Sequence, residues 1–172
     1  MKVFKEEQRF TQIWLHLVLI ISFGIPMIFV INEWILTKGD DNDVSVKFYI
    51  IIGSILMTYG IIFSLKLKTR IDEIGIQYRF IPFHFSNKII AWSEIDNANI
   101  RKYNAISEFG GWGLKGDSFW NKGKGVAYNV KGNIGLQLKL KNGKKVLIGT
   151  QKRNEVEKVL LTYKHKIIDN ED

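Results

Sequence analysis

The chain has 172 residues, 25 Lys and Arg against 17 Asp and Glu, a formal charge of +8 and no cysteine. The missing thiols exclude disulfides, cysteine nucleophiles and thiolate metal sites. Three histidines, at 16, 84 and 165, are too scattered for a metal or catalytic cluster.

Two uncharged apolar runs come first, Phe10 to Asn32 and Phe48 to Leu65. About 20 helical residues cross the ~30 Å hydrocarbon core, so each run is long enough to span. Neither has the polar stripe of a soluble amphipathic helix. The first exceeds a signal-peptide core and runs into Asn32-Glu33-Trp34 without a small-residue cleavage site, so it reads as an uncleaved anchor. The expected organisation is a two-helix transmembrane hairpin over 1–65, with spans at about 11–31 and 48–65 and an outside loop over 32–47. Residues 66–172 form the second domain.

Lys2, Lys5 and Arg9 precede the first span, and Lys66, Lys68 and Arg70 follow the second. The loop between them has Lys38 and Lys47 against Glu33, Asp40, Asp41 and Asp43. The positive-inside rule then places both termini in the cytoplasm. His16 lies near enough to an interface to be solvated. Gly53, Gly60 and Ser64 offer a small-residue strip suited to a close-packed hairpin or a homo-oligomer. Pro26 should bend the first helix.

Beyond the second run the period shortens to alternation broken by turns, which predicts a β-rich domain. Strands are expected over Leu65–Ile71, Ile76–Pro82, Lys88–Trp92, Ala98–Tyr103, Gly125–Val130 and Gly135–Leu140. Asp72-Glu73-Ile74-Gly75 is a turn in which Gly75 takes positive φ. Asn142-Gly143 joins the last hairpin, whose second strand runs to Ile148. A final helix is capped by Asn154 with Glu157 as capping-box partner, and buries Val156, Val159, Leu160, Tyr163 and Ile167. About seven antiparallel strands and a C-terminal helix predict a pleckstrin-homology-like (PH-like) barrel or roll.

Phe109-Gly110-Gly111-Trp112-Gly113, Ala127-Tyr128-Asn129-Val130, Gly132-Asn133, Gly135-Leu136-Gln137-Leu138, Lys141-Asn142-Gly143-Lys144 and Ile148-Gly149-Thr150-Gln151-Lys152 resemble a group of small bacterial membrane proteins with two spans and a C-terminal bacterial PH-like domain. The resemblance covers nearly the whole chain. It implies the fold and a place in the bacterial inner membrane, and it brings no active site.

Between Gly110 and Gly125 six glycines alternate with aromatic and basic residues. Trp112, Lys115, Phe119, Trp120, Lys122 and Lys124 are the candidate partner or membrane contacts. Such a loop suits an anionic leaflet or a protein interface; the alternative is that the glycines serve turns and Trp112 joins the core. Phosphate cradling is disfavoured, since no Gly-Lys-Ser/Thr ending follows. The dispersed lysines read as the solvated face of strands, which disfavours nucleic acid. No nucleophile elbow or paired acid and base is present, so neither catalysis nor a cofactor is expected. The expected role is a membrane-anchored interaction module that binds or scaffolds protein partners. The alternatives are a lipid-surface sensor and an accessory subunit of a transport or envelope complex.

Overall fold

A computed structural model of the chain describes residues 2–36, 42–116, 123 and 125–168. It divides into two units, Thr11–Ser64 and Met1–Phe10 with Leu65–Asp172.

The first unit is a pair of helices, α1 (Ile13–Leu36) and α2 (Asn42–Ser64). Both are long and apolar enough to cross a membrane. They touch each other, His16 stacks on Tyr59 at 6.4 Å between ring centroids, and Lys47 pairs with Glu33 at 3.0 Å. Only Leu19 and Val30 of α1 are buried, whereas Ile20, Phe29, Ile50 and Phe63 are exposed. A core helix of a soluble protein would hide such side chains. Gly53 and Gly60 have open space where a Cβ would stand, so this hairpin does not use the small-residue strip for close contact.

The second unit holds nine strands among the described residues, in two sheets. The first sheet runs β1-β2-β3-β4, formed by Phe4–Arg9, Lys66–Ile71, Gly75–Ile81 and Lys88–Ala91. The second comprises β5 (Ile95–Lys102), β6 (Gly113–Lys115), β7 (Val126–Asn129), β8 (Ile134–Leu140) and β9 (Lys145–Gly149), in the order β5-β8-β9-β7-β6. The β7–β9 pair is parallel and the rest are antiparallel. Short α3 (Ala105–Phe109) follows β5, and α4 (Arg153–Tyr163) and α5 (His165–Ile168) close the chain.

Four expectations are corrected. The sheets do not close into a barrel, and nine strands replace seven because β1 and β6 are added. Residues 4–9, expected to belong with the helices, are the edge strand of the β unit. Their alternate side chains Phe4, Glu6 and Gln8 are buried, which ties the segment to the sheet rather than to the apolar run that follows it. Finally, α4 starts at Arg153, so Asn154 is inside the first turn and does not cap it. The Lys152 N–H donates to Thr150 Oγ1 instead, at 3.1 Å.

The main core lies between the sheets and α4. Leu67, Ile71, Ile76 and Phe80 of the first sheet meet Leu136, Leu138 and Ile148 of the second, and Val156, Val159 and Tyr163 cover them. Trp92 stacks on Tyr163 at 5.4 Å and donates to the Asp72 carbonyl at 2.9 Å. Gly75 does have positive φ, 154°, and a Cβ there would strike the Ile90 carbonyl, so β3 and β4 can approach only at glycine.

Candidate interaction surface

The glycine-rich segment begins from an ordered base. Asn104 Oδ1 accepts from the backbone N–H groups of Ile106 and Ser107, starting α3, and Gly110 ends it in the left-handed conformation. Phe109 is thereby buried, and half-buried Trp112 packs against the cluster of Tyr103, Phe109, Ala127 and Leu147. Its Nε1 donates to the Gly132 carbonyl at 3.1 Å. Lys115 is half-buried at the far end of β6, opposite Ala127. Phe119, Trp120, Lys122 and Lys124 lie outside the described residues. Trp112 stands just before β6 and Lys115 ends it.

Polar side chains gather beneath β1. Glu6 accepts from the Thr150 hydroxyl at 2.7 Å and from the Gln151 N–H at 2.8 Å, and Gln8 Nε2 donates to the Gly149 carbonyl at 2.6 Å. Gly149 in turn lies against Asn129 and the Tyr103 hydroxyl, where a Cβ would stand 3.1 Å from Asn129 Cβ, a tight fit. Burial pushes the Tyr103 hydroxyl up, and burial with the neighbouring Tyr128 hydroxyl does the same for Tyr78. Both phenols stay protonated at neutral pH. This seam fastens β1 to the start of α4.

A groove of about 380 Å³ runs between β5 and the C-terminal helices. Ala98 and Ile100 supply one apolar wall and Leu160, Leu161 and Ile167 the other. Asp96, Asn97, Asn99, Glu157 and Lys164 make it polar at the margins. Since β5 pairs with β8 on one side and ends the sheet on the other, its outer backbone edge is not part of the ladder.

Between β3 and β4 the chain turns through Pro82, Phe83, His84 and Phe85. His84 points inward. Its Nδ1 accepts from the Phe80 N–H at 3.2 Å, its carbonyl accepts from Arg79 Nε at 3.1 Å, and its ring meets those of Tyr78 and Tyr128 edge-on at 5.9 and 5.4 Å. Burial, with Lys88 nearby, lowers the imidazole's pKa, which suits a ring nitrogen that must accept a hydrogen bond. The flanking Phe83 and Phe85 project outward, 58% and 93% exposed.

The chain matches no family model, no curated protein and no solved structure. Its own geometry therefore carries the functional reading. Among the described residues no three His, Cys, Asp or Glu side chains converge as a metal site would require. What the β unit offers is binding surface: a free strand edge with an apolar groove, and an exposed aromatic turn. Among the described residues β5 is one of four strands that end a sheet, with β1, β4 and β6. The groove joins residues some sixty positions apart, which no local pattern reveals. The aromatic turn had a signal, two phenylalanines in the short gap between two expected strands, where polar residues are the rule.

Proposed function

We propose that this chain is a membrane-anchored interaction module of the bacterial inner membrane. Its two helices cross the bilayer, its termini and β unit lie on the cytoplasmic side, and the β unit is a PH-like domain that captures an extended segment of a partner protein. The edge strand β5 beside an apolar groove carries this reading. An extended peptide adds its backbone hydrogen bonds to such an edge, and every second side chain enters the groove. The apolar positions of the partner would face Ile100, Leu160 and Leu161.

The membrane assignment is supported by two exposed apolar helices and by the Lys and Arg flanking them. The β1–β2 register supports a single side for both helix ends, because Arg9 stands opposite Lys66. Two sheets closed by a C-terminal helix support the PH-like comparison.

A photo-crosslinking residue at Leu161, which is 66% exposed, tests the groove in native membranes. A recurrent protein adduct is expected there, and Ile100→Asp should abolish it. An adduct pattern indifferent to Ile100→Asp, or none at all, would remove β5 and its groove as the binding site.

A further inference from the structure

We propose that the β3–β4 turn is a third membrane contact, with Phe83 and Phe85 inserted into the lipid interface on the side from which the helices leave. The inference rests on the membrane-spanning reading and adds a site to it.

Sheet register carries the argument. Arg9 pairs with Lys66, and Lys66 pairs with Ile81, so these three residues form the last row at one end of the first sheet. Past that row β1 continues through Phe10 toward α1, β2 is reached from α2 through Leu65, and β3 continues into Pro82. Phe10 and Leu65 are both half-buried against the main core, so the β unit holds the two connections at its own end. Neighbouring strands lie about 5 Å apart, which puts the start of the turn within about 10 Å of both connections. The headgroup layer on each side of the hydrocarbon core is roughly 5–8 Å thick. One residue, Leu65, separates the end of α2 from β2. For helices that cross the bilayer, so short a join puts this end of the sheet, and the turn with it, within reach of the headgroups.

The turn has the chemistry of that depth. Phe83 and Phe85 bracket His84, whose four contacts with Phe80, Arg79, Tyr78 and Tyr128 hold the loop so that both neighbouring rings face out. Around the same end stand Arg9, Lys66, Lys68, Arg79 and Lys88, with Glu7 as the local acid, paired to Arg9 at 2.7 Å and Lys68 at 3.2 Å. Apolar rings ringed by cations fit an anionic leaflet: the rings enter and the cations meet phosphates. A protein partner is the other occupant such rings could have, and the experiment separates the two.

Because the chain has no cysteine, single nitroxide labels can be placed without background. Full-length protein would be reconstituted in phosphatidylcholine–phosphatidylglycerol vesicles with labels at Phe85→Cys, Phe83→Cys, Asn142→Cys and Ile20→Cys. Collision with oxygen reports lipid, and collision with a water-soluble nickel chelate reports water. Labels at 83 and 85 should favour oxygen over nickel, at a depth near the phosphates, while the label at 142 favours nickel. If the labels at 83 and 85 meet nickel as freely as the one at 142, the inference is wrong although a lipid-exposed label at 20 leaves the spanning helices standing. Shielding of 83 and 85 from both reagents would assign the turn to a protein contact, and also overturns it. A label at 20 outside lipid would defeat the spanning reading itself.

Discussion

Glu6 and Thr150 stand 144 residues apart in the chain and share a hydrogen bond of 2.7 Å. The strand ahead of the helices is thereby joined to the turn that starts α4. The same carboxylate accepts from the Gln151 N–H, so one side chain organises the junction between β9 and α4. Glu6→Ala would leave the buried Thr150 hydroxyl and the part-buried Gln151 N–H without their acceptor, at a cost of about 1–3 kcal/mol. Glu6→Gln keeps an acceptor and should cost less. Denaturant melts of the purified protein in detergent, followed by tryptophan fluorescence, would give both values; equal losses would mean that the hydrogen bonds matter little.

A fragment of residues 66–172 lacks β1. It would expose the β2 edge and leave Thr150 and the Gly149 carbonyl without Glu6 and Gln8. Such a fragment should aggregate or give a poorly dispersed amide spectrum, whereas one with residues 2–10 linked directly to residue 65 should fold. Equal behaviour of the two would show β1 to be dispensable.

Asp72 is buried, and burial raises its pKa. The Arg70 guanidinium at 2.6 Å and the Ile74 N–H at 3.0 Å outweigh this, holding the carboxyl below its ordinary range. A depressed carboxyl stabilises fully above its unfolded pKa, near 3.8, and loses that contribution as pH falls through the folded value. Asp72→Asn should lower stability by about 1–3 kcal/mol at neutral pH and flatten the acid limb of the stability curve. Melts from pH 7 down to about pH 2 would show whether the two curves converge in acid, as this linkage requires.

His84 has the opposite charge bookkeeping and the same direction in pH. Its folded pKa lies below the ordinary 6.5, so the unfolded chain takes up the proton first and acidification below that value destabilises the turn. Protonation also removes the acceptor for the Phe80 N–H. Hydrogen exchange at Phe80 should quicken, after correction for its intrinsic pH dependence, between pH 7 and about pH 5, and His84→Phe should abolish that extra acceleration. An unchanged protection factor over this range would refute the role given to the ring.

Orientation is checked with the same cysteine-free background. A cysteine at Lys38 should react with an impermeant maleimide in intact spheroplasts, and one at exposed Lys158 only after the membrane is opened. The reverse pattern would invert the topology.

Much of the architecture was legible where chemistry repeats locally. The uncharged runs foretold two long apolar helices, and Asn142-Gly143 marked the β8–β9 turn, in which Gly143 has φ 81° and the Lys144 N–H bonds Asn142 Oδ1 at 3.0 Å. Val156, Val159 and Tyr163 announced the buried stripe of α4. β1 was not legible, because two of its three buried positions carry Glu6 and Gln8, so no apolar alternation betrays a strand, and its partner lies beyond both helices. β6 is three residues long, too short to establish a period. For the candidate site, Trp112 could be read either way until its neighbours Phe109 and Leu147 were known. The groove beside β5 depends on a helix that returns from the far end of the chain.

The pairing of Arg9 with Lys66 makes the helical unit a loop in the topological sense. From the sheet's side, β1 and β2 are an ordinary antiparallel hairpin whose connection happens to be some fifty residues of apolar helix. Lengthening such a connection costs little entropy, since the penalty grows only with the logarithm of its length. The mechanical consequence is larger. A pull that parts the two helix ends reaches the Arg9–Lys66 rung first, and from there opens the β1–β2 ladder rung by rung, like a zip, toward Phe4 and Ile71. A load that parts the two helix ends and the integrity of the sheet are thus coupled through six paired positions.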